Sequence, residues 1–145
     1  MLDRLRRLMG GSSRNSLEGA AESGDVDAMV DLGCYYSTEA DPPDLDAARH
    51  WFERAASAGD TVAMSNLGQL YAALMEPPDL DAARHWYERA ADAGHANAMF
   101  NLGVFYTRRV EPPNLDAARL WYERAAEAGH TNAMFNLGNL LTQRM

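Results

Sequence analysis

The chain copies itself every 35 residues, and that self-similarity restricts its fold more than any other feature. Pro42-Pro43, Pro77-Pro78 and Pro112-Pro113 recur at this spacing, as do Trp51, Trp86 and Trp121. So do the Leu-Gly pairs Leu32-Gly33, Leu67-Gly68, Leu102-Gly103 and Leu137-Gly138. Residues 44–78 and 79–113 share 23 of 35 positions without a gap. Such a period holds two helices of about 13 residues each and two short turns. It is longer than a leucine-rich unit and lacks the β-rich composition of a propeller blade. The expected fold class is all-α, a stack of helix hairpins.

Each unit parses physically. Pro77-Pro78 cannot continue a helix and biases the residue before it out of the α region. Asp79, matched by Asp44 and Asn114, is a helix N-cap, and Asp81, matched by Asp46 and Asp116, puts a carboxylate in the first turn. In the helix that follows, Ala83, Trp86, Tyr87, Ala90 and Ala91 form one apolar stripe. Arg84 and Glu88 face each other at i,i+4. Gly94, like Gly24, Gly59 and Gly129, ends the helix in the left-handed conformation. A second helix then runs over 96–108, with Ala98, Leu102, Phe105 and Tyr106 as its buried stripe. Its mid-helix Gly103 costs roughly 1 kcal/mol of helix propensity, so a large group is expected against it, with the neighbouring tryptophan as the candidate. Hairpins that cannot bury their apolar faces alone are stabilised by stacking.

The expected hairpins span about 14–38, 44–74, 79–109 and 114–143, forming one repeat domain over 14–145. In the first copy Ser16 stands at the tryptophan position, which marks a degenerate N-terminal cap. Residues 1–13 read as a basic flexible leader: Arg4, Arg6 and Arg7 outweigh Asp3, and a Gly10-Gly11-Ser12-Ser13 link follows. The alternative for this segment is a short amphipathic helix touching the domain or a membrane surface. No polar capping helix follows the last Leu-Gly helix, so Met134, Leu137, Leu140 and Leu141 are expected to be partly exposed.

A formal net charge of −8 argues against nucleic acid, whose phosphates demand an excess of Lys and Arg. No apolar run approaches the roughly 18 residues of a membrane span, so stable membrane insertion is not expected. Cys34 is the single cysteine, which excludes an internal disulfide and a Cys-based zinc site. An unpaired thiol without an export signal points to the cytoplasm. His50 and His85, and likewise His95 and His130, are equivalents one repeat apart and lack recognised metal-ligand spacing. Cys34 has no adjacent His or Lys to activate it. With no nucleophile elbow, zinc-protease motif or phosphate-cradling loop, neither catalysis nor a cofactor or metal is expected.

The string Ala-Ala-Arg-x-Trp-Tyr-Glu-Arg-Ala-Ala-x-Ala-Gly-x-x-x-Ala-Met-x-Asn-Leu-Gly-x-x-Tyr resembles the Sel-one-like repeat family, a relative of the tetratricopeptide repeats. The resemblance covers about residues 17–145, with three strong copies and one weak one. One departure is the inter-hairpin loop, shortened here to Glu76-Pro77-Pro78 and its equivalents. The resemblance implies a right-handed α-α superhelix, or solenoid, acting as a scaffold or adaptor for protein complexes, often in bacterial signalling or envelope processes.

The resemblance also implies that the Leu-Gly helices line a concave groove. Carried over by position, its partner-binding sites are Asn66 and Gln69 in the second copy and Asn97, Phe100, Asn101, Val104 and Arg108 in the third. The fourth copy supplies Asn132, Phe135, Asn136 and Asn139. Asn66, Asn101 and Asn136 recur at one position, and an asparagine ladder offers donors and acceptors to an extended peptide main chain. A carboxylate clamp of the tetratricopeptide kind also needs lysines, and the chain has none. Phe100 and Phe135 are candidate anchors for a ligand side chain; the competing reading packs them between hairpins. The expected function is a non-catalytic interaction module holding a protein or peptide segment. The alternative is a self-assembling module, a homo-oligomer formed through the uncapped C-terminal hairpin.

Overall fold

The computed structural model describes residues 11–143, so most of the expected leader lies outside the described residues. The regular structure of the described residues is all helical, without a strand. In order they form α1 (Gly11–Glu22), α2 (Val26–Cys34), α3 (Leu45–Ser57), α4 (Thr61–Gln69), α5 (Leu80–Asp92), α6 (Ala96–Arg108), α7 (Leu115–Glu127) and α8 (Thr131–Gln143). Each helix packs on the next in sequence, which gives the all-α solenoid of stacked hairpins that the repeat predicts.

The turns follow from local chemistry. Asp44, Asp79 and Asn114 accept the N–H of Ala47, Ala82 and Ala117 and so cap α3, α5 and α7. At the other end Gly94 sits at φ 92°. Its N–H reaches the Ala91 carbonyl and the His95 N–H reaches the Ala90 carbonyl, the paired bonds of a Schellman motif. His95 therefore closes α5 and opens α6, and the hairpin turn is only Ala93-Gly94-His95. The link between hairpins is tied as tightly. The Asp44, Asp79 and Asn114 N–H groups donate to the carbonyls of Tyr36, Tyr71 and Tyr106. All three loops carry a cis peptide bond before their first proline. In the first two copies the second helix widens into a π turn, over Tyr35–Glu39 and Leu70–Leu74, before reaching that tie.

The core is built on small residues. Ala48, Ala55, Ala83, Ala90, Ala118 and Ala125 are wholly buried, and Leu32, Leu67 and Leu102 fill the spaces between helices. Alanines at these places let helix axes approach closely, and each mid-helix glycine goes further. A Cβ on Gly33, Gly68 or Gly103 would come within 2.4–2.5 Å of the ring of Phe52, Tyr87 or Tyr122 in the following hairpin. The expected partner was the tryptophan; the ring that seals the glycine is the aromatic residue one position later. Consecutive side chains on a helix point about 100° apart, so only one of the two faces the preceding hairpin. The tryptophans pack differently: Trp51 is buried in the core, while Trp86 and Trp121 are half-buried at its rim. Arg54, Arg89 and Arg124 lie over Trp51, Trp86 and Trp121, 4.5–5.0 Å from the ring centroids. Tyr106, expected in the buried stripe, is half-buried, and Met99 is buried with Ala98, Leu102 and Phe105. On the last helix Leu140 is buried, not exposed, because it stands one repeat after Phe105 on the buried stripe; Met134 and Leu141 are exposed as expected.

Candidate functional site

Helices α4, α6 and α8 lie side by side, and the register of the repeat brings the same positions of each onto a shared trough. Its main hollow, about 350 Å³, is flanked by Val62, Ser65, Asn66 and Gln69 from α4. The rest comes from Asn97, Phe100 and Asn101 of α6, Asn132 of α8, and the capping residues His95 and His130. Among the described residues no carboxylate or guanidinium lines this hollow. A second hollow of about 250 Å³ shares Gln69 and Asn101 with it and continues past Ala72, Ala73 and Val104 to Tyr87, Phe105 and Arg109. Together they make one trough across the middle of the molecule.

Its hydrogen bonding is specific at one side. His130 caps α8: its Nδ1 accepts the Ala133 N–H at 3.2 Å. The ring proton therefore belongs on Nε2, which donates to Asn97 Oδ1 at 2.9 Å. Phe100 stacks on the His130 ring, with centroids 4.6 Å apart and planes 15° apart, and its other neighbour is Tyr122. Phe100 is thus held by the next hairpin on one side and half-exposed to the trough on the other. Burial pushes the His95 imidazole below its usual range, partly offset by Asp60, which caps α4. Asn66 Nδ2 donates to Cys34 Sγ at 3.8 Å. Among the described residues Gln69, Asn101 and Asn132 show no side-chain hydrogen bond to a protein group, so their amides face the trough with donors and acceptors available.

Six of the expected groove residues meet at the main hollow: Asn66, Gln69, Asn97, Phe100, Asn101 and Asn132. Val104 lines the second hollow. Arg108 points to solvent outside both, and the guanidinium at the trough belongs to its neighbour Arg109. On α8, Phe135 and Asn139 are exposed and Asn136 is half-buried, all outside the two hollows. The sequence reading did not place His95, His130, Tyr87, Phe105 or Arg109 at the groove. The available signal for the histidines was their alignment with the N-caps Asp25 and Asp60. Tyr87 is buried beneath the trough and its phenol is pushed up to about 12, with Arg109 pulling the other way.

Burial and the nearby Asp31 push the Cys34 thiol up to about 11, so it is a poor nucleophile. His50 and His85 sit edge-on to Trp51 and Trp86. Among the described residues no group of three or more His, Cys, Asp or Glu is arranged to hold a metal, and no helix is long and apolar enough to cross a membrane.

The Sel1 repeat family model matches residues 26–60, 61–95 and 96–130, three units that tile without a gap. The chain belongs to the Sel1 repeat family. Each matched unit pairs the second helix of one hairpin with the first helix of the next, the same interface that the glycine-ring contacts seal. Among solved structures the chain is similar to a Sel1 repeat protein from Oxalobacter formigenes. Identity is 32%, the TM-score is 0.75, and the match covers 89% of this chain and 54% of that one. It is equally similar, at 32% identity and a TM-score of 0.77, to a protective antigen of uropathogenic Escherichia coli strains that displays an SLR fold. That match covers 90% of this chain and 29% of the antigen. An immunity protein from Pseudomonas aeruginosa shares the fold at 20% identity and a TM-score of 0.51, over 90% of this chain and 66% of that one. The chain thus spans about half and under a third of the first two proteins. No curated protein sequence matches. Sel1 repeat proteins are in general protein-interaction scaffolds without catalytic activity.

Proposed function

We propose that this Sel1 array is a non-catalytic, cytoplasmic interaction module that binds an extended segment of a partner protein in the trough across α4, α6 and α8. The observation that carries this reading is the row of amide side chains, Asn66, Asn101 and Asn132 with Gln69, around the half-exposed ring of Phe100. An extended main chain presents alternating N–H and C=O groups, and asparagine and glutamine satisfy both kinds. Phe100, backed by His130 and Tyr122, offers a fixed apolar surface for one ligand side chain. Among the described residues the main hollow has no arginine or lysine to clamp a carboxylate or phosphate, so recognition through the main chain and one apolar side chain fits it best.

Selection from a displayed random-peptide library tests the reading. Selected binders should lose roughly 30-fold or more in affinity, the equivalent of about 2 kcal/mol, with Phe100→Ala combined with Asn101→Ala. They should keep their affinity with Arg108→Ala. Peptides that bind the Phe100/Asn101 double variant as tightly as the parent would place the binding surface elsewhere.

A further inference from the structure

The three glycine sockets have a fourth. Gly33, Gly68 and Gly103 are each filled by a ring from the following hairpin, whereas a Cβ added to Gly138 on α8 would meet nothing within 4 Å. The residues around it are open in the same way. Phe135 stands one repeat after Phe100, which Tyr122 and His130 of the next hairpin half-cover, yet Phe135 is 69% exposed. Met134 is 50% exposed and Leu141 39%. Among the described residues this face of α8 is therefore the repeat's own stacking surface without its usual partner.

At the opposite end of the molecule, α1 has the shape that such a socket accepts. Leu17 takes the register of Phe52, Tyr87 and Tyr122. Ala20 and Ala21 take the register of the alanine pairs Ala55-Ala56, Ala90-Ala91 and Ala125-Ala126. The register puts Leu17 on the face that later copies turn toward the preceding hairpin, and α1 has no preceding hairpin among the described residues. Leu17 is packed against the core on one side and half-exposed on the other. The repeat step is the same 35 residues throughout, so α1 of a second copy would continue the array in phase. Asp25, in the register of His130, would stand where the next capping residue belongs.

We propose that α1 of a second copy of this chain docks on α8, with Leu17 seated on Gly138 and covering Phe135. The contact is heterologous, because one end of the molecule meets the other end of its neighbour. Unless rotation closes a ring, such contacts extend head to tail. This inference is independent of the groove reading, since peptide affinity and self-association are separate measurements.

Sedimentation velocity over a wide concentration range, on the 145-residue chain and two variants, tests it. Gly138→Leu fills the socket from within, in open space on a helix that favours leucine over glycine. Leu17→Glu removes the apolar plug. The parent chain should gain mass with concentration and pass beyond a dimer, while each variant alone stays monomeric. Mixed together they should form a heterodimer that grows no further, since one variant supplies an intact α1 and the other an intact α8. Circular dichroism checks that both variants remain helical, and Phe135→Ser, which alters only an exposed side chain, should also weaken association. A parent chain that is monomeric throughout would overturn the proposal. So would association that Gly138→Leu leaves unchanged, or variants that do not recombine.

Discussion

Tyr122 lies on Gly103 with 3% of its surface exposed, while the adjacent Trp121 keeps part of its indole in water beneath the Arg124 guanidinium. The two rings therefore contribute differently. Tyr122→Ala opens a cavity between hairpins and should cost about 3–5 kcal/mol. Trp121→Ala gives up rim packing and a cation–π contact of roughly 0.5–1 kcal/mol, so its total loss should be clearly smaller. Urea denaturation of the two variants checks the ranking. Spacing alone could not reveal which ring carries the load, because tryptophan and its neighbour recur with the same period. Size favoured the indole, but helix geometry turns the phenol inward. The glycine itself was legible as the place where something large presses, since a mid-helix glycine in successive copies costs stability unless a neighbour needs the space.

At the scale of elements, the hairpin boundaries were legible because proline, Asx and glycine each act locally: a stop, a cap and a left-handed turn. The π turns over Tyr35–Glu39 and Leu70–Leu74 were not, because no proline or glycine marks them within the helix. The caps of the second helices were also missed. Asp25 and Asp60 accept the N–H of Ala28 and Ala63, whereas the equivalent His95 and His130 read from sequence as duplicated boundary histidines without metal-ligand spacing, and imidazole is not a usual cap. His95 carries a testable consequence. Its imidazole titrates below the ordinary 6.5 because burial disfavours the cation. The unfolded chain thus binds this proton first as pH falls, so stability attributable to His95 is full above 6.5 and declines as pH drops through 6.5 toward the folded value. An NMR titration of the His95 ring should give a midpoint below 6.5 in the folded protein; a midpoint at or above it would show that burial does not outweigh the pull of Asp60.

For the whole molecule, the repeat specifies a stack and the stack sets the trough. That Asn66, Asn101 and Phe100 meet at one hollow was legible through the resemblance carried over by position, because the 35-residue register brings those positions together. Arg109 in place of Arg108 was not, because the last turn of α6 decides which arginine bends toward Tyr87, and the repeat has no equivalent arginine pair elsewhere to compare. The central claim is that each hairpin is locked to the next by a ring seated on a bare glycine. Replacing Gly103 and Gly138 by alanine, one at a time, tests this in dilute solution. Both sit mid-helix in the same sequence context, but only Gly103 has a ring against it. Thermal and urea unfolding should show Gly103→Ala destabilised by about 1–3 kcal/mol through overpacking. Gly138→Ala should be stabilised by about 0.5–1 kcal/mol through helix propensity. Two substitutions that shift stability in the same direction would contradict the account.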